Sequence, residues 1–361
     1  MSSTALLGHL SRLVACDTQN PPRRISGDSD IFRYCSEVVG SGFNTGTWDH
    51  GDGHVSWLAV KGRPKVLFNV HLDTVPCAEG WDTDPLELAV SDGKAYGRGA
   101  CDIKGAAAAL LTLAEQGAEN LALLFTSDEE GAGGCCVENF LGTGEAEQFG
   151  QVIVAEPTGC QAVLAHRGFL SVKTRFSGEP GHSSEARALQ ENANHQLARW
   201  AAAALAVAET KKTAPEDPGA CMNIGIVDGG SKSNVIAGGA FVHWSARLQP
   251  GESNDRFLAE MRACASPQDN VAWEVPFKGE PLPAGGQDDG AAREFCGRLG
   301  IPQGDPVDFW TEASLFSAAG LPAMVLGPGN IAQAHAANEW VSLDQLNRAM
   351  ELYAGVIKSD G

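Results

Sequence analysis

Basic side chains are scarce in this chain. Its 361 residues carry 26 Lys and Arg against 45 Asp and Glu, a formal charge of −19. That deficit argues against nucleic acid and anionic membranes as partners, since both need a basic face. It also draws cations toward the surface. A substrate bearing a carboxylate would then need a local basic or metal site to hold it. Long apolar runs are missing too. The longest, 106–114 and 201–208, fall well short of the roughly 20 residues that cross a bilayer, and they read as buried helix faces. Residues 1–16 lack a basic start, an apolar core and a small-residue cleavage site, so no signal peptide is expected. Cys-x-x-Cys is absent. The ten cysteines show no paired spacing and are expected to be reduced thiols in the cytoplasm. No Gly-x-Gly-x-x-Gly follows a strand and no Gly-x-x-x-x-Gly-Lys-Ser/Thr occurs, which leaves a nucleotide-binding reading unsupported. Low-complexity tracts and internal repeats are also lacking.

What remains is an ordinary globular composition, 43% hydrophobic and 20% charged, in a chain long enough for two domains. Apolar runs at 55–60, 66–70, 121–126 and 152–155 read as strands, and the Ala- and Leu-rich segment 103–116 as a helix. Strand, helix, strand is the crossover of a parallel sheet. From Gly168 the pattern changes. Strands at 170–176, 222–227, 240–248 and 271–277 alternate with helices at 188–209 and 255–264. This is βαββαβ, the ferredoxin-like order. A helix at 288–299, a strand at 323–326 and a helix at 342–357 then return to the first domain. The expected fold is α/β, with a mixed, mostly parallel central sheet in 1–167 and 277–361, and an inserted domain at 168–276.

Five candidate metal ligands follow apolar runs: His71, Asp102, Glu130, Glu156 and His335. Chemistry in open α/β sheets gathers outside the carboxyl ends of strands. Two imidazoles and three carboxylates suit zinc, cobalt or manganese. They are too many for one catalytic zinc and enough for two ions sharing a carboxylate, which sit roughly 3.5–4 Å apart. Asp73, two residues past His71, points the same way on an extended backbone and is expected to orient that ring. Adjacent Glu129 and Glu130 point apart, which makes Glu130 the ligand and Glu129 the general base. Taken singly, each has a plainer reading. An Asp-Glu-Glu run is usually an exposed acidic turn, and a lone His or Glu a solvated side chain. Only the combination carries weight.

The motifs themselves resemble those of the M20 metallopeptidases. Asn69-Val70-His71-Leu72-Asp73-Thr74-Val75-Pro76, Gly97-Arg98-Gly99-Ala100-Cys101-Asp102-Ile103-Lys104-Gly105, Thr126-Ser127-Asp128-Glu129-Glu130, Ala155-Glu156-Pro157-Thr158 and Gly181-His182-Ser183-Ser184 carry the likeness. Asn20-Pro21-Pro22 and the run from Asp308 to Phe316 bring it close to the branch that deacetylates N-acetylornithine or N-acetylcitrulline in arginine biosynthesis. The resemblance implies a di-zinc exopeptidase-like catalytic domain, an inserted lid and dimerisation domain, and hydrolysis of an N-acyl amino acid. It implies two divalent ions, zinc or cobalt. His71 and Glu156 would hold one, Glu130 and His335 the other, with Asp102 bridging. It implies Glu129 as base, His182 reaching the partner subunit's site in a homodimer to stabilise the oxyanion, and Asn234 and Arg247 holding the substrate carboxylate. Desuccinylase or di-zinc peptidase activity on the same scaffold, and a non-catalytic metal- or peptide-binding relative, are the rival readings. The stretch 131–136 and the neighbourhood of Glu312 are the places expected to read the substrate side chain.

Overall fold

Strands buried on both faces must be apolar on both faces. Val66–His71, Leu121–Thr126 and Gln151–Val154 meet that demand, with every residue buried. They form the centre of a six-stranded sheet in the computed structural model, which describes residues 2–131, 135–212 and 219–359. The strand order is Asn44–Asp49, Val55–Lys61, Leu121–Thr126, Val66–His71, Gln151–Val154, Ala323–Val325. The last four run parallel, and the first two pair antiparallel at one edge. The sheet is therefore mixed and mostly parallel. Strands Val55–Lys61 and Val66–His71 are consecutive in sequence but do not pair. Leu121–Thr126 lies between them, its register setting His71 opposite Thr126.

The described residues divide into two compact units. The first takes those of Met1–Ala165, Gly285–Pro306 and Thr311–Gly361, and the second those of His166–Ala284 and Val307–Trp310. In the first, helix Lys104–Glu115 is buried from Lys104 to Ala114. It packs against helices Ser2–Val14, Asp30–Val39 and Leu343–Ser359. A helix with neighbours on every side needs small residues, which accounts for its alanines. Strands Ala89–Ser91, Lys94–Tyr96 and Trp340–Ser342 form a small separate sheet.

The second unit has an antiparallel sheet in the order Asn223–Gly229, Gly239–Ala246, Phe169–Ser177, Asn270–Gly279. Helices Ala193–Glu209 and Asn254–Ala263 cover a core built on Trp200, Trp244, Phe176 and Phe257. The helix expected at 188–209 is broken. Asn192 leaves the helical conformation and its side chain accepts the N–H of Asn194, capping a new helix from Ala193. A two-stranded ribbon pairs Gly181–His182 with Val235–Ile236. Among the described residues, no helix is long and apolar enough to cross a membrane.

Candidate metal centre

Neighbouring parallel strands deliver three of the expected ligands. His71 ends Val66–His71, Glu130 lies just past Leu121–Thr126, and Glu156 just past Gln151–Val154. Asp102 and His335 arrive on longer loops, several residues beyond the strands Lys94–Tyr96 and Ala323–Val325. Asp102 sits on the loop after the short strand Lys94–Tyr96, and His335 follows the 3-10 turn Ile331–Gln333. Neither joins the six-stranded sheet. His335 has φ of +60°, a left-handed conformation that few side chains adopt.

The structure brings all five together around Asp102. His71 Nε2 is 3.1 Å from Asp102 Oδ1, and His335 Nε2 is 3.1 Å from Asp102 Oδ2. His71 Nε2 lies 3.4 Å from Glu156 Oε1, and His335 Nε2 lies 3.1 Å from Glu130 Oε1. The groups fall into two halves, His71 with Glu156 and His335 with Glu130. Asp102 touches both. Ligand atoms of His71, Asp102 and Glu130 all lie within 4.8 Å of one another.

Asp73 is placed as expected but does more than turn a ring. Its main-chain carbonyl is 3.0 Å from His71 Nδ1, closer than its carboxylate at 3.5 Å. The carboxylate accepts the main-chain N–H of Glu129 and of Glu130, and the amide of Asn20 at 2.8 Å. One buried acid thus holds His71 and the Glu129–Glu130 turn together. In the sequence Asn20 stands out only as part of the Asn20-Pro21-Pro22 run. Its partner is 53 residues away, and nothing local announces the contact.

Burial opposes every charge in the nest, and the partners decide each outcome. For His71, burial favours the neutral ring, but Glu156, Asp102 and Asp73 outweigh it and hold its pKa well above the usual imidazole value. His335, bonded to Asp102 and Glu130, is raised to about 10. Asp102 is buried too, yet its two histidine partners pull it below the usual carboxylate range. Glu130 is pushed up to about 7 by burial and then by Asp102. Burial, reinforced by Glu156, Glu130 and Asp102, drives Glu129 well above the ordinary value. Glu156 is raised by burial as well. Its Oε1 is buried and makes no hydrogen bond. Crowded buried acids, a carboxylate oxygen without a hydrogen-bond partner and two imidazoles set on the two oxygens of Asp102 fit divalent cations of borderline hardness.

Another group, His54, Asp128 and Cys136, also has ligand atoms within 4.8 Å of one another. Its contacts give it a structural part instead. Asp128 Oδ2 accepts the N–H groups of Cys135 and Cys136 and lies 2.7 Å from His54 Nδ1. The Arg23 guanidinium sits on the other ring nitrogen of His54 and would oppose a cation. Asp128 fastens the far end of the 131–136 stretch, of which residues 132–134 lie outside the described residues. Glu312, whose neighbourhood is expected from the sequence to read the substrate side chain, is only 3% exposed and accepts from Thr126 Oγ1. Burial and then Asp128 push it up to about 8. It is as buried as the nest itself and lies within electrostatic reach of His71, Glu156 and Asp73.

The remaining candidates lie in the second unit. His182 is exposed, with Nδ1 2.8 Å from Ser184 Oγ. It pairs with Val235, and Ser183 N–H donates to the carbonyl of Asn234, so His182 and Asn234 share the ribbon. Arg247 does not join them. It follows the far end of strand Gly239–Ala246, a separation of roughly 25 Å at 3.3 Å per residue. Its guanidinium stacks 3.9 Å from the Phe169 ring centroid, and burial lowers its pKa.

Residues 67–359 match Peptidase family M20/M25/M40. The chain is 46% identical to the N-acetyl-L-citrulline deacetylase of Xanthomonas campestris pv. campestris, over 96% of this chain and 95% of that protein. It is 31% identical to the acetylornithine deacetylase of Myxococcus xanthus, over 99% and 98%. The crystal structure of aminopeptidase PepT from Bacillus cereus superposes with a TM-score of 0.73 at 17% identity, covering 99% of this chain and 98% of that one.

Proposed function

We propose, because the chain belongs to peptidase family M20/M25/M40, that it hydrolyses the amide of an N-acetyl amino acid to acetate and the free amino acid. N-acetylcitrulline is the first candidate substrate and N-acetylornithine the second, in arginine biosynthesis. The observation that carries the reading is the Asp102 carboxylate set between His71 and His335, with Glu156 and Glu130 completing two halves. The 46% identity to a citrulline-derivative deacetylase orders the substrates.

In this reading His71, Glu156, Asp102, Glu130 and His335 hold a pair of divalent cations, zinc or cobalt. Such ions supply Lewis acidity, which acidifies water and polarises the acyl carbonyl. Glu129 takes the proton of the attacking water on its carboxylate. It then gives that proton to the amine nitrogen as the C–N bond breaks. A base for this work needs a pKa above that of an ordinary carboxylate, and burial, helped by the crowded acids around it, raises Glu129 from the ordinary value. Asp73 keeps Glu129 and Glu130 in register by accepting their N–H groups.

His182 donates to the oxyanion, a contribution of about 3–4 kcal/mol for a well-placed donor. Arg247 and Asn234 take the substrate carboxylate, for which a guanidinium fork is suited. Since Asn234 travels with His182 and Arg247 sits a strand's length away, we assign His182 and Asn234 to one copy and Arg247 to the other in a homodimer. The edge strand Asn223–Gly229 supports such pairing, with Ile226 and Val227 54% and 58% exposed. Amine release from N-acetylcitrulline, N-acetylornithine, succinylated amino acids and dipeptides, after chelation and reloading with zinc or cobalt, tests the proposal. Release from the acetyl substrates supports it. Turnover of dipeptides or succinyl compounds alone overturns it.

A further inference from the structure

We infer that Glu339 is a positioning residue that ties the Asp102 loop to the His335 segment and so sets the spacing of the two halves of the metal centre. The inference rests on the reading of Asp102 and His335 as ligands.

Strands Lys94–Tyr96 and Trp340–Ser342 are paired antiparallel, with Trp340 opposite Tyr96. The chain leaves the first toward Asp102 and enters the second from His335. Both ligands therefore hang from one end of a short ribbon, on separate loops. Loops of that kind have no ladder of their own to fix them. Glu339 lies where the two meet. Its Oε1 accepts the N–H of Cys101 at 2.9 Å and of Asp102 at 3.0 Å. Its Oε2 accepts the N–H of Gly99 at 3.0 Å and Arg98 Nη1 at 2.8 Å. Its own carbonyl accepts the N–H of Gly97. A single carboxylate thus terminates the loop at four donors, and its backbone closes the base.

The arrangement is buried as well, and all four hydrogen bonds converge on the Glu339 carboxylate. Arg98 and Glu339 are each 1% exposed. Breaking one side of a buried ion pair leaves the other charge stranded. Packing around the loop is tight too: Gly99 has φ of +81°, and a Cβ there would come within 2.8 Å of Thr74 and Lys104. Ladder and core contacts alone would hold the loop roughly. Four hydrogen bonds to one acid fix the Asp102 main chain while the imidazole of His335 meets its carboxylate from the same segment.

Glu339→Gln tests this. A glutamine has one acceptor oxygen, so its NH2 group must face one of the donor pairs. The metal-free variant is titrated with Co(II), following visible absorption, alongside far-UV circular dichroism. The expected result is a folded protein whose Co(II) affinity falls about 10–100-fold, the usual cost of losing a group that orients a ligand. Unchanged affinity and an unchanged cobalt spectrum in a folded variant would overturn the inference. Amide hydrogen exchange of Gly99, Cys101 and Asp102 in the metal-free wild type gives a second reading that needs no variant. Protection like that of the central strands is expected, and exchange at open-loop rates would overturn it. If the wild type binds no Co(II), the ligand reading itself falls, while the exchange result still decides whether Glu339 holds the loop.

Discussion

Asp73 Oδ2 accepts the main-chain N–H of Glu130 at 3.0 Å, so the residue just past one strand fixes a ligand just past its parallel neighbour. The same carboxylate binds Glu129 N–H and the Asn20 amide, and Asp73 is fully buried. Asp73→Ala leaves three donors without an acceptor, each costing about 1–3 kcal/mol. A drop of several degrees in the melting temperature and at least tenfold weaker zinc binding are expected. Calorimetry and metal analysis on the purified variant check both. A variant with wild-type zinc affinity would remove Asp73 from the site's support.

Glu129→Gln is expected to keep its metal and lose about 100- to 10,000-fold in turnover, the range for a missing general base. His182→Ala should also be metal-replete and slow. Mixing the two inactive variants discriminates further. If His182 acts across a symmetric dimer, exchange of subunits restores about a quarter of wild-type activity, because half the dimers then hold one complete site. No recovery after verified exchange would place His182 elsewhere in the mechanism.

The metal-free site binds protons where the loaded site would bind cations. His335 is raised to about 10, so its share of folding stability is complete below pH 6.5 and is lost as pH rises through 10. Glu130, raised to about 7, contributes as the protonated acid below its ordinary value of 4.5 and loses that share as pH climbs through 7. The chelated protein should therefore melt lower at about pH 9 than at about pH 6. Cation affinity runs the other way, since ligands must shed protons first. The gap between loaded and chelated melting temperatures should widen with pH, and calorimetry in buffers of different ionisation enthalpy should record proton release on loading. Proton uptake would refute this protonation pattern.

Three of the proposed ligands are legible in the sequence because buried parallel strands announce themselves as apolar runs, and His71, Glu130 and Glu156 stand at or just past their ends. Asp102 is legible as a motif and His335 only from its place after an apolar run, but not in their setting, since both ride loops away from the central sheet. The edge strand Asn44–Asp49 gives no signal because its sequence, NTGTWD, has no apolar alternation and is mostly exposed. Helix Asp30–Val39 is absent from the sequence reading although Ile31, Phe32, Cys35 and Val39 follow helical spacing and are all buried. The roles of Asn20 and Glu339 arise from contacts between remote segments, which no local pattern encodes.

The two histidines of the nest differ sharply in their access to solvent: the His71 side chain is 1% exposed and that of His335 is 52% exposed. In the proposed arrangement an ion seated with His335 and Glu130 would face the surroundings, while one seated with His71 and Glu156 would be enclosed. Stripping by a chelator should proceed in two ordered phases, a fast and then a slow departure, and stopped-flow absorbance of the cobalt form would display both. A preparation caught between them would hold its single remaining ion on the inner, enclosed side.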